Sequence, residues 1–316
     1  MTLAAVCMSH SPLLGITHPP ADVEQAVDDA FARCRGFVER FDPTLVVSFG
    51  PDHYNGFFHD LMPPFCIGLD AVSVGDYGTE AGPLDVPAET AEGMARHVLA
   101  SDVDVAVSRR MEIDHGAVQP LEILLGGISA RPTVPVFVNA VADPFAPMRR
   151  VGRLGAAIGA FLGGLSGERV LIVGSGGLSH DPPVPRWASA TGEQRAMLLD
   201  GRHPTAAARD ARQQRVVDTA RRFAAGTAEI RDLNPEWDQR FLDLCTRGEL
   251  ETIERFEAPD MAAEAGNSVH EVRTWLAALS ALRAAAGGYQ VEDHFYRPVP
   301  EYIAGFGTLT ATGVRG

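Results

Sequence analysis

The four cysteines, Cys7, Cys34, Cys66 and Cys245, are scattered and form no CxxC pair. That spacing excludes a zinc knuckle or a disulfide framework, and reduced thiols are expected. Basic charge is also scarce. Lys and Arg total 27 against 41 Asp and Glu, a formal charge of −14, so the basic face that nucleic acid requires is absent. The same imbalance repels anionic substrates, and any that binds needs a local basic patch. No run is long and apolar enough to cross a bilayer; the most apolar and Gly-rich, 155–165, is too short. The N-terminus lacks the basic start and apolar stretch of a signal peptide. The expectation is a soluble cytoplasmic protein with no nucleic-acid or membrane partner. The signatures GxxxxGKS/T, HExxH and G-x-S-x-G are missing as well, which removes the P-loop, zincin and α/β-hydrolase readings.

What is present is enough apolar material for a large core: 46% of 316 residues. Short apolar runs at 3–7, 45–49, 65–69, 103–107, 134–138 and 169–173 predict strands. Amphipathic stretches at 21–41, 87–99, 119–125 and 148–162 predict the helices between them. Residues 186–211 read as polar and loop-rich. Helices are then expected at 206–225, 235–246, 250–256 and 268–286, followed by closing strands at 289–296 and 302–310. The alternation predicts an α/β fold: a mixed central sheet with helices on both faces and a helical C-terminal elaboration, in one domain over 1–316. No repeat, low-complexity tract or clean linker interrupts it.

Two histidines share one kind of position. His10 follows the first apolar run and precedes Ser11-Pro12, where proline enforces extended backbone. His53 follows the second run in Gly50-Pro-Asp-His53, a sharp turn. A strand that stops just before an imidazole holds it rigidly at the sheet mouth. With one carboxylate, such a pair makes the facial triad of non-haem iron(II), which leaves coordination positions open. Asp52 and Tyr54 are candidates to orient the His53 ring, and His59 competes with it. Glu271 is the carboxylate candidate, but Ser268 and Glu271 also have the S-x-x-E spacing of a capping box, so ligand and cap both remain open. His115 in Asp114-His-Gly116 and His180 after Gly174-Ser-Gly-Gly-Leu-Ser179 also look chemical. The latter loop is not a dinucleotide site, because Ser179 replaces the third glycine and Asp181-Pro-Pro follows. His18, His97, His203, His270 and His294 read as solvated or structural.

Longer motifs occur in a fixed order: Ser9-His-Ser-Pro12, Pro51-Asp-His-Tyr-Asn-Gly-Phe-Phe58, Met62-Pro-Pro-Phe-Cys66 and Asp114-His-Gly116 come first. Gln119-Pro-Leu-Glu122, the glycine loop to His180, Arg212-Gln-Gln-Arg-Val216, His270-Glu271 with Thr274-Trp275, and Tyr302-Ile-Ala-Gly-Phe-Gly307 follow. In these motifs the chain resembles the class III extradiol ring-cleavage dioxygenases nearly end to end. The resemblance implies His10, His53 and Glu271 as ligands of Fe(2+), His115 as proton donor and His180 as proton acceptor. It implies O2 and a catechol carboxylate such as 2,3-dihydroxyphenylpropionate as substrates, and a homo-oligomer such as a tetramer. Alternatives are another catechol (3,4-dihydroxyphenylacetate or gallate type), a non-catalytic Memo-like binding protein, and a metallohydrolase.

Overall fold

Alternate residues of the first strand, β1 (Thr2–Met8), enter different apolar clusters: Leu3, Ala5 and Cys7 go to one, Ala4, Val6 and Met8 to the other. A strand with both faces apolar belongs inside a sheet covered on both sides. The computed structural model, which describes residues 2–314, has that arrangement. After β1 come α1 (Ala21–Phe41), β2 (Leu45–Gly50), β3 (Phe65–Gly68), β4 (Ala71–Val74), β5 (Ala81–Pro83) and α2 (Ala88–Ala100). Next are β6 (Ala106–Ser108), β7 (Met111–Ile113), α3 (His115–Leu125), β8 (Thr133–Val138), α4 (Met148–Gly163) and β9 (Arg169–Ser175). The helices α5 (Gly192–Asp200), α6 (Ala206–Ala224), α7 (Pro235–Arg247), α8 (Leu250–Ile253), α9 (Ala258–Ala265) and α10 (Val272–Ala286) precede β10 (Tyr289–Val299) and β11 (Ala304–Gly313).

Eight strands form the main sheet, in the order β10-β11-β1-β9-β2-β8-β3-β6, and β5-β4-β7 form a small second one. β1, β9, β2 and β8 run parallel; β11 and β3 pair antiparallel to β1 and β8, which makes the sheet mixed, as expected. One face is covered by α2, α4 and α10, through Met94, Val151, Leu154, Trp275 and Leu279. The other is covered by α1 and α3, through Val27, Phe31, Phe37, Val118 and Leu121. α10 is buried continuously from Val272 to Leu282, as an all-round apolar helix should be. All four cysteines are buried and free. Among the described residues no helix is long and apolar enough to cross a membrane.

The structure departs from the expected elements at particular places. The strand expected at 103–107 begins at Ala106, because the Val103 N–H still donates to Val98 O at 3.3 Å and closes α2. The helix expected at 119–125 starts four residues earlier, at His115, where the Asp114 side chain caps it by accepting from the Gly116 N–H. The stretch 186–211 contains α5, opened by a complete capping box between Thr191 and Gln194. The helix expected at 268–286 divides into a 3₁₀ turn, Val269–Glu271, and α10. β4, β5, β7 and α9 were not anticipated. The strands among them have three or four residues, too few to show a period.

Candidate metal centre and its cavity

The register of the three central strands aligns their exits: Met8 of β1 pairs with Ser175 of β9, and Phe49 of β2 pairs with Gly174. His10 therefore leaves the sheet two residues beyond β1, His53 three beyond β2, and the glycine loop to His180 departs from β9 between them. His115 opens α3. Glu271 ends the 3₁₀ turn whose helix, α10, packs along the sheet. Residues 10, 53, 115, 180 and 271, far apart in sequence, meet in one cluster. Its rings are in contact, with centroids 5.4 Å apart for His10–His53, 5.6 Å for His10–His115 and 4.5 Å for His53–His115.

Each imidazole is fixed through its Nδ1. Pro120 sets the first case. Lacking an N–H, it leaves the Gly116 carbonyl one turn earlier unpaired, and the Ser175 hydroxyl donates to that carbonyl instead. With its proton committed, Ser175 Oγ accepts from His10 Nδ1 at 3.0 Å. His53 Nδ1 donates to the Asp114 carboxylate at 3.2 Å, which also takes the His53 backbone N–H at 2.7 Å. His115 Nδ1 lies 2.6 Å from Asp76 Oδ2, and His180 Nδ1 lies 2.8 Å from Leu178 O. The network thus assigns the Nδ1–H tautomer to all four rings and leaves each Nε2 with a lone pair.

Glu271, 2% exposed, faces those lone pairs. Its Oε1 lies 3.1 Å from His53 Nε2 and 3.2 Å from His180 Nε2, and its Oε2 lies 3.6 Å from His10 Nε2. Lone pairs and a carboxylate converge this way only around protons or a shared cation. The charge balance agrees. Burial works against the Glu271 carboxylate, yet His180 and His10 hold it well below the usual carboxylate range. Burial also pushes the His10 imidazole down to about 3, which leaves it neutral, the form a metal ligand requires. For His53, burial is outweighed first by Asp114 and then by Glu271, which raise it well above its ordinary value. A divalent cation would supply the positive charge that the protein otherwise draws from protons, so the donor set fits a metal.

Ring nitrogens of His10, His53 and His115 fall within 4.8 Å of one another, as do donor atoms of Asp76, Asp114 and His115. The second trio is not a separate centre, because its carboxylates already accept the Nδ1 and backbone bonds described above. Glu271 favours the first-mentioned pair of strand-end histidines, since its oxygens contact His10 and His53, and His180, but not His115.

Several expectations need correction. The Ser268–Glu271 capping box does not form: Ser268 makes no side-chain cap bond, and the Glu271 carboxylate turns inward, where Oε2 accepts the Gly177 N–H at 2.8 Å. Asp52 does not orient His53. Its carboxylate accepts the N–H groups of Asn55, Gly56 and Phe57 and so shapes the loop, while Asp114 holds the ring. The Tyr54 hydroxyl pairs with His59 at 3.2 Å and not with the His53 ring. Asp76, Asp114 and Ser175 were not singled out. The N-cap position of Asp114 was a legible signal; the other two are joined to their histidines only by the fold.

The loop glycines are there for space. A Cβ on Gly176 would lie 2.6 Å from Glu271 Cβ and from Glu271 O, and one on Gly116 would lie 2.8 Å from His53 Cε1. Gly176→Ala is therefore expected to displace Glu271. It should lower stability by about 1–3 kcal/mol in urea unfolding, as overpacking does, and weaken metal binding in an equilibrium titration. An alanine variant with unchanged metal affinity would show that the tight fit is not needed.

The cluster floors a cavity of about 980 Å³ whose walls include Pro182, Pro183, Val184, Met197 and Ile303. Among the described residues, three of the six non-glycine residues with positive φ, Tyr54, Tyr77 and Ile303, line it. Such backbone costs on the order of 1–3 kcal/mol per residue and collects where a site dictates shape. The Tyr77 ring sets its edge against His115, centroids 5.0 Å apart.

Residues 4–307 match the family described as the catalytic LigB subunit of aromatic ring-opening dioxygenase. Relatives named 2,3-dihydroxyphenylpropionate/2,3-dihydroxicinnamic acid 1,2-dioxygenase are 62% identical in Rhodococcus rhodochrous and 57% identical in Rhodococcus globerulus, each match covering 98% of both chains. One of the same name from Mycolicibacterium vanbaalenii is 54% identical, covering 98% of this chain and 97% of that one. With a metal-compatible cluster at the sheet mouth and a family match over nearly its whole length, the chain belongs to the LigB family of aromatic ring-opening dioxygenases.

Proposed function

We propose that this protein cleaves 3-(2,3-dihydroxyphenyl)propionate, and 2,3-dihydroxycinnamate, with O2 at the bond beside the two hydroxyls. The product is a 2-hydroxy-6-oxo dienoic acid that retains the side-chain carboxylate and gains both oxygen atoms. The carrying observation is the cluster itself, in which three Nδ1-anchored imidazoles, those of His10, His53 and His180, turn Nε2 toward the Glu271 carboxylate, with His115 beside them, on the floor of a cavity. The names of relatives more than half identical over the full length support the substrate.

In this reading His10, His53 and Glu271 hold iron(II). When bound, the ion supplies a Lewis acid for the catechol oxygens and a one-electron centre for O2. The protein does the rest. Strand exits and the Ser175 and Asp114 bonds keep the two histidines, which line the cavity, from turning. His180 Nε2 accepts the catechol proton, its other nitrogen being tied to the Leu178 carbonyl. His115 Nε2 returns a proton as the ring opens. The Asp76 carboxylate on its Nδ1 fixes the ring and leaves Nε2 as the atom that handles that proton. The proline-rich wall excludes water from a reactive ring. The whole chain acts as one catalytic domain, in the cytoplasm and as a homo-oligomer.

The test is oxygen uptake. Protein loaded anaerobically with ferrous iron should consume one O2 per 2,3-dihydroxyphenylpropionate and form a yellow product, faster than with 3,4-dihydroxyphenylacetate or gallate. Preference for either of the latter would overturn the substrate, and substrate turnover without O2 would overturn ring cleavage.

A further inference from the structure

α6 contributes Arg212, Arg215 and Arg222 to the cavity wall. Arg212 is already committed: its guanidinium donates to the His53 carbonyl and, at 3.1 Å, to that of Tyr54, clasping the loop that carries His53. Asp218, also on the wall, is engaged by Arg221 at 3.5 Å and by Gln214 at 2.8 Å. Among the described residues the exposed Arg215 side chain has no hydrogen bond and no ion pair, and it lines the cavity. It follows Arg212 by three residues, so it shares that helix face about 4.5 Å further along, whereas Arg222 lies about 15 Å along the axis. Its charge also reaches Tyr77, the residue whose ring packs on His115.

We propose that Arg215 determines specificity by binding the side-chain carboxylate of the catechol. The inference rests on the ring-cleavage reading above and goes beyond it by assigning the cation. Three C–C bonds carry a propionate carboxylate about 4 Å from the ring, the scale of one helical turn. A guanidinium fork matches a carboxylate in two parallel bonds. Val184, Met197 and Val216 offer apolar contact to the methylenes between. In a chain with a formal charge of −14, such a local cation is what lets an anionic substrate enter.

The test compares kcat/KM of the iron-loaded enzyme for 2,3-dihydroxyphenylpropionate and for neutral 3-propylcatechol. Arg215→Gln should lower the acid-to-neutral ratio roughly 10- to 100-fold, the worth of a charged hydrogen bond. Arg215→Lys should restore part of it, and Arg221→Gln, outside the cavity, should leave the ratio at the parent value. An unchanged ratio in Arg215→Gln, equal losses on both substrates, or a fall confined to Arg222→Gln would overturn the assignment while ring cleavage stood. Parent enzyme that cleaves neither catechol would end both.

Discussion

Glu271→Gln is expected to leave a folded protein that no longer retains iron and no longer opens catechol rings. Glutamine preserves the shape and can still accept the Gly177 N–H, so the loop against Gly176 keeps its packing. What disappears is the buried negative charge toward which His10, His53 and His180 point. Removing one partner of a buried charge pair costs about 3–5 kcal/mol. For a bound cation that corresponds to roughly 10²- to 10⁴-fold in affinity. Anaerobic loading followed by elemental analysis measures it, with His10→Ala and His53→Ala as companions. A Glu271→Gln protein that keeps a full complement of iron would remove the carboxylate from the ligand set and leave an all-histidine centre of His10, His53 and His115, whose ring nitrogens are also close enough. Thermal melts with and without ferrous iron separate ligand loss from unfolding, since the glutamine variant should melt cooperatively and gain nothing from added metal, whereas the parent protein should be stabilised by it.

The ambiguity at Glu271 shows where sequence reasoning stops. Ser268 and Glu271 have the right spacing for a cap, and the same glutamate has the right chemistry for a ligand. Only the turn preceding α10 decides between them, by pointing the carboxylate at side chains more than 200 residues away, such as His53. His10 and His53 were legible because the apolar runs before them end abruptly, and adjacent parallel strands then bring their exits together. Asp76 was not legible, because an acidic residue in a short loop carries no local mark of the histidine that it contacts across 39 positions. Ser175 depends on a still longer chain of cause, since its hydroxyl is aimed by a carbonyl that Pro120 leaves free. A central sheet covered by helices on both faces followed from alternation and length; the order of its strands did not. The small sheet of β4, β5 and β7 was not legible either, because strands of three or four residues are too short for a repeat to show, yet β4 and β7 lie just ahead of Asp76 and Asp114 and so help to place both.

His115→Gln and His180→Gln should each keep iron and lose about 10²- to 10⁴-fold in kcat, the usual worth of a positioned acid or base. Equal losses would not distinguish the two roles; the stage at which each variant fails does. His180 Nε2 sits against Glu271 and its Nδ1 against a neutral carbonyl, an arrangement suited to taking a proton when substrate arrives. His115 is held through its Nδ1 by the Asp76 carboxylate and does not touch Glu271, a placement that leaves its Nε2 for a proton transfer later in the reaction. Mixed with 2,3-dihydroxyphenylpropionate without oxygen, the His115 variant should therefore still develop the ultraviolet absorption of the deprotonated catechol, and the His180 variant should not. On admitting oxygen, the His115 variant should consume substrate slowly from an already formed complex, so that KM holds while kcat falls. The reverse pattern would exchange the two roles. Loss of iron from either variant would move that histidine into the ligand set, and the division of the cluster into two ligating and two proton-handling rings would have to be redrawn.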